Sequence, residues 1–157
     1  MTLVFNASPL IVLAKSGLLE RFLQLADQVW IPDAVAREVS YGKDPADPAR
    51  CWVARQSSLI HPAPAISPFL MAWDLGAGES AVISLTEATP GAVAVLDDLA
   101  ARRCAQAIGL KIIGTLGLMA KRAGVIPSAS QALDAIVAAG LFISPHHLET
   151  IRIQAGE

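Results

Sequence analysis

The chain has 157 residues, 54% apolar and 17% charged, with 12 basic against 14 acidic side chains. That length suits one hydrophobic core, and the apolar share suits strands buried under helices on both faces, or an added oligomer face. A formal charge of −2 excludes a global basic field for nucleic acid, and no apolar run reaches the length of about 18 residues that spans a membrane, because Lys15, Asp134 and similar residues interrupt each candidate.

Residues 3–5 read as a short strand that breaks at Asn6-Ala7-Ser8-Pro9. Ser8 fits the N-cap and Pro9 the first position of a helix over 10–15 that stops near Gly17. This start lacks a basic leader and a cleavage site, so strand and helix are expected rather than a signal peptide. Leu18, Leu19, Phe22 and Leu23 continue at helical spacing, residues 29–31 return as a strand, and Pro32-Asp33 opens a helix over 34–39 carrying Glu38.

The segment YGKDPADP at 41–48 is a loop, because its Pro, Gly and Asp content defeats helix and strand alike. A helix over 49–56 and a weak strand at 59–60 lead into the Pro-rich HPAPAISP. Residues 73–78 are a turn into a helix over 79–88, with Glu79 in its first turn. Residues 92–96 form a buried strand that ends in two carboxylates, Asp97 and Asp98. Asp98 fits the N-cap of the following helix, Gly109 its left-handed terminator, and 111–113 the next strand, which makes a strand-helix-strand crossover.

Thr115 fits the cap of a helix over 116–123 ended by Gly124, with Lys121 and Arg122 on a solvated face. Ser128 begins a helix to residue 139, residues 141–143 are strand-like, and Ser144-Pro145 starts a last helix. Strands alternate with helices and no repeat or hinge linker interrupts them. The expected architecture is a single α/β domain over 1–157, a three-layer α/β/α fold around a mostly parallel sheet of four or five strands.

Cys51 and Cys104 match no metal-ligand or C-x-x-C spacing and read as reduced, buried thiols of a cytoplasmic protein. His61, His146 and His147 form no zinc motif. Trp30, Trp52 and Trp73 sit in apolar neighbourhoods and read as core or interface. Gly114-Thr115-Leu116-Gly117 lacks the spacing and the Lys-Ser/Thr ending of a phosphate loop.

In a parallel sheet ligands bind outside the carboxyl ends of the strands, where Asn6, Asp97 and Asp98 emerge and towards which Glu38 and Glu79 can lean. An oxygen cluster of this kind suits Mg²⁺ or Mn²⁺, which can activate water against a phosphodiester. Each residue also has a plain structural reading: Asn6 braces the turn into Pro9, Glu38 is solvated, Glu79 complements a helix N-terminus, and Asp98 only caps. Arg102 and Arg103 follow one turn later, either to neutralise Asp98 at i+4 or to contact a phosphate. A phosphate-accepting receiver domain also collects acids at strand ends, but it places an acid pair after the first strand, where this chain has Asn6.

The segments VFNASPLIVLAK, IPDAVAREV, LGAGESAVISL and VLDDLAARRCAQAIGLKIIGTLGLMAKRAGVIP, in this order, resemble the PIN domain superfamily over nearly the whole chain. The resemblance implies a PIN fold and, as in the VapC-type toxins, a Mg²⁺- or Mn²⁺-dependent endoribonuclease acting on single-stranded RNA, partnered by an antitoxin protein, with a homodimer compatible with the apolar content. By position it implies Glu38, Glu79 and Asp98 as catalytic acids, a metal set of Asn6, Glu38, Glu79, Asp97 and Asp98, and Ser8 in support. Asn6 stands where these nucleases generally have their first Asp, so it offers an amide oxygen with one negative charge fewer. The alternative is a degenerate PIN-like domain that binds RNA or a protein partner without hydrolysis.

Overall fold

The computed structural model describes residues 1–117, 124–126 and 128–157, with the backbone alone at Ala155. Five strands are laid down in chain order as β1 (Thr2–Phe5), β2 (Gln28–Pro32), β3 (Ile60–His61), β4 (Val93–Val95) and β5 (Lys111–Ile113). Every pairing is parallel and the order across the sheet is β3-β2-β1-β4-β5. Parallel strands need crossovers, and helices supply them on both faces, giving the three-layer α/β/α architecture. Leu3, Val4, Phe5, Ile31, Ala94, Val95 and Leu96 are sealed at the centre of the core, as apolar runs without alternation require when a strand is covered on both sides.

The helices are α1 (Ala7–Lys15), α2 (Leu19–Leu23), α3 (Asp33–Ser40), α4 (Pro48–Val53), α5 (Pro68–Met71), α6 (Ala77–Glu87), α7 (Leu99–Ala107), α8 (Ala129–Ala138) and α9 (Pro145–Ala155), with a 3₁₀ turn at Ser57–Leu59. Gly17 and Gly109 close α1 and α7 at φ of 71° and 76°, a region that favours glycine. Helix α6 packs on α3 and against β1, β2 and β4.

The chain winds outward from β1 through β2 to β3, then crosses back to β4 and on to β5. The winding direction therefore reverses between β1 and β4, which are paired Phe5 to Val95. Their carboxyl ends open the crevice where open α/β sheets bind ligands. The ladder runs one residue further, since Asn6 N donates to Val95 O at 3.1 Å and Leu96 N to Ile113 O at 3.0 Å.

Several local expectations change. Helix α1 begins one residue before Ser8: Asn6 O accepts from Leu10 N, Asn6 takes the cap position without a side-chain cap, and Ser8 lies exposed in the first turn. Residues 141–143 are not a strand, because Leu141 N is spent on Ile136 O at 3.2 Å, closing the end of α8 around Gly140. Helix α5 was hidden in the Pro-rich stretch, where Ser67 accepts from Leu70 N and Pro68 takes the first turn. Cys104 is buried but Cys51 is exposed, its Sγ against Pro45 O. Residues 115–117 are helical, while most of the helix expected over 116–123, with Lys121 and Arg122, lies outside the described residues.

Candidate functional site

Asn6 is the first residue beyond β1 and is buried. Its Nδ2 donates to Glu79 Oε1 at 3.1 Å, whereas its Oδ1 has no hydrogen-bond partner. Turning the amide over would set oxygen against carboxylate, so the Glu79 contact fixes its orientation. A buried acceptor left unpaired costs about 1–3 kcal/mol, and Oδ1 is therefore an oxygen in want of a positive or donating partner.

Its surroundings are acidic. Helix α6 carries Gly78 and Glu79 in its first turn, and α3, packed against it, carries Glu38. A Cβ built on Gly78 would lie 2.6 Å from Glu38 Oε2 and 3.2 Å from Asn6 Oδ1. Both oxygens thus approach one point, and the bare glycine lets them do so. Glu38 as a residue is exposed, but its carboxyl tip turns inward against α6. Burial of that tip, with the Glu79 charge as the second cause, pushes the Glu38 carboxyl above the usual range.

The acid pair after β4 is held differently. Asp97, half-buried, accepts from Thr115 N at 2.8 Å and from Thr115 Oγ1 at 2.7 Å, tying the end of β4 to the segment after β5. Asp98 is exposed and caps α7, its Oδ1 accepting from Ala101 N at 2.8 Å. Among the described residues no ion pair joins Asp98 to Arg102 or Arg103, so the i+4 bridge suggested by the spacing is absent. Arg102, half-buried, instead donates from Nη1 to Leu96 O at 3.2 Å, while Arg103 is exposed.

The structure therefore brings Asn6, Glu38 and Glu79 together and places Asp97 and Asp98 at the neighbouring strand end, each already engaged by backbone N–H groups. Ser8 faces solvent in the first turn of α1. Gly78 makes room for the Glu38 and Asn6 oxygens, and Thr115, expected only as a helix cap, holds Asp97; the sequence reading assigned neither role. The G-x-G of LGAGES just before Glu79 was the available signal for the first; nothing local marks the second, whose partner is 18 residues away.

Two carboxylates and an unpaired amide oxygen are hard donors of the kind that Mg²⁺ and Mn²⁺ prefer. Among the described residues no three His, Cys, Asp or Glu side chains gather into a metal site, so Asn6 is needed to complete a three-residue oxygen set. The donor chemistry fits a divalent cation. Compared with known families, residues 2–157 match the family described as PIN domain. No curated protein and no solved structure matches the chain.

Proposed function

This chain belongs to the PIN domain family, a nuclease-type family, and from that premise we propose that it is a Mg²⁺- or Mn²⁺-dependent endoribonuclease of single-stranded RNA, acting as one domain. The observation that carries the reading is the unpaired Asn6 Oδ1, buried beside the Glu38 and Glu79 carboxylates around Gly78. Asn6, Glu38 and Glu79 would hold the cation, with Asp98 an exposed acid just beyond the end of β4 and Asp97 positioning that strand end. When bound, such an ion supplies a polarised water and neutralises charge that builds on the phosphodiester. Asn6 orients the Glu79 carboxylate through its amide N–H, Gly78 leaves the space, and Arg102, beside Asp97 over Gly114, offers a cation for a phosphate oxygen.

Mn²⁺ should raise the melting temperature and support RNA cleavage, and Glu79→Gln should abolish both. Wild-type protein that neither gains stability from Mn²⁺ nor cuts RNA overturns the reading. A second reading, binding without hydrolysis, is favoured by one feature: where an acid would add charge, Asn6 spends its amide on Glu79. Asn6→Asp separates the two. It should strengthen Mn²⁺ binding roughly ten-fold by adding a charge; cleavage that appears only in this variant would establish the binding-only reading for the native chain. An antitoxin partner, a homodimer and a cytoplasmic location belong to the same proposal. Among the described residues no helix is long and apolar enough to cross a membrane.

A further inference from the structure

A second concavity, of about 480 Å³, lies on the β5 side of the acid pair, with Leu99, Arg102, Phe142 and His147 in its lining. Phe142 is 90% exposed and Leu99 60% exposed, so two large apolar groups face water in a groove whose lining also includes Ile112, Leu116, Leu141 and the Asp97 carboxylate. Exposed apolar surface of this sort marks a binding site when polar groups rim it.

The polar component is Arg102, which shares the lining with one carboxylate, Asp97. Arg102 is half-buried, and among the described residues no carboxylate lies within ion-pair distance of it. Its Nη1 lies 2.5 Å from where a Cβ on Gly114 would stand, so the glycine makes room for the guanidinium over the end of β5. Asp97, in the same lining, has both oxygens hydrogen-bonded by Thr115, which fixes the carboxylate's orientation and leaves its charge in place. His147 stands in the same lining, with Nδ1 hydrogen-bonded to Ser144 Oγ at 2.8 Å.

An exposed aromatic ring, aliphatic side chains and a guanidinium that makes no ion pair, all lining one groove, match one ligand chemistry: an unpaired nucleobase joined to a phosphate. Stacking needs a free base face, which a duplex withholds. We propose that this groove is a base-stacking subsite for single-stranded RNA, with a base lodged on Phe142 and Leu99 and the adjoining phosphate on Arg102. The inference rests on the reading of the chain as an RNA-acting protein and extends it from the acid crevice to the neighbouring groove.

The test is equilibrium binding of a short fluorescein-labelled oligouridine to the whole chain in EDTA, followed by fluorescence anisotropy, so that cleavage plays no part. Phe142→Ala should weaken binding about 5- to 150-fold, the range for loss of one base–aromatic stack, and Phe142→Trp should restore it. Arg102→Gln should weaken binding and lower the slope of log affinity against log salt by roughly one phosphate contact. Because Phe142 is so exposed, its truncation leaves the fold intact, which an unchanged melting temperature verifies.

Equal affinity of wild type and Phe142→Ala, or no binding by wild type, overturns the subsite. So does a dimer that Phe142→Ala dissociates, since the groove would then be covered by a second copy. The two readings fail separately. Retained Mn²⁺ stabilisation with Phe142-independent RNA binding removes only the subsite; Phe142-dependent binding without any Mn²⁺ response removes only the metal-dependent nuclease.

Discussion

Gly78 shows how much a missing side chain can decide. Helix α6 meets α3 with only a hydrogen at this position, and the space that a methyl would fill lies between Glu38 Oε2 and Asn6 Oδ1. Gly78→Ala should therefore act on the site more than on the fold. The Glu38 tip can swing out to solvent, so the melting temperature should move by no more than about 2–4 °C, the equivalent of roughly 1 kcal/mol in a chain of this size. The response to Mn²⁺ should disappear, and titrating the ion while following thermal unfolding of both proteins measures this. Full retention of the Mn²⁺ response would mean that the cation does not lie at the point where these oxygens approach. Asn6 and Glu38 were readable as oxygen donors from the chain alone. That one oxygen would be left unpaired was not, because it depends on which neighbour takes the amide N–H.

At the level of elements, the acid pair divides its work between two connections. Asp97 fastens β4 to the segment after β5, and Asp98 starts α7. The capping role has a distinct signature. Asp98→Ala should cost about 1 kcal/mol, whereas Asp98→Asn should cost little, because an amide oxygen accepts the Ala101 N–H equally well. Chemical denaturation of the three proteins checks this, and the nuclease reading adds that Asp98→Asn should still impair cleavage. An Asp98→Asn variant as active as wild type would leave Asp98 with capping alone. Helix starts marked by Ser-Pro or Asp were legible locally, as at α7 and α9, since the cap is satisfied within one turn; the Asp47-Pro48 start of α4 was instead taken into the preceding loop. The strand expected over 141–143 failed for the converse reason: an apolar triplet is a strand only if a neighbour offers hydrogen bonds, and here the Leu141 N–H closes α8.

Across the whole molecule, distant segments are tied together by side chains as well as by the sheet. Glu157 reaches the start of α8, where its carboxylate accepts from Ala129 N at 2.8 Å, Ser130 N at 2.9 Å and Ser128 Oγ at 2.9 Å. The Ser130 and Ala129 amides, followed by the Ser130 and Ser128 hydroxyls, hold this carboxyl down at about 2. A carboxyl depressed by folding contributes stability that is complete above its ordinary value and is lost as pH falls through the folded value. The difference in stability between wild type and Glu157→Gln should therefore be constant near neutrality and shrink between the ordinary Glu range, near 4.5, and about 2. Urea unfolding of both proteins over that window reads it directly, and a difference that does not change with pH would show that the carboxylate is free in solution.

The sequence by itself determined the class of fold, the alternation of elements and the oxygen-bearing residues at the strand ends. Each of these follows from short-range causes: apolar runs bounded by turn residues, caps satisfied within a turn, and glycines placed where φ turns positive. Tertiary structure alone decided which of those oxygens meet. The strand order sets β1 beside β4 and so opens the crevice, the packing of α6 on α3 brings Glu38 to Asn6, and Thr115 engages both oxygens of Asp97. Such pairings are set by contacts between residues far apart in the chain, and local pattern carries no record of them.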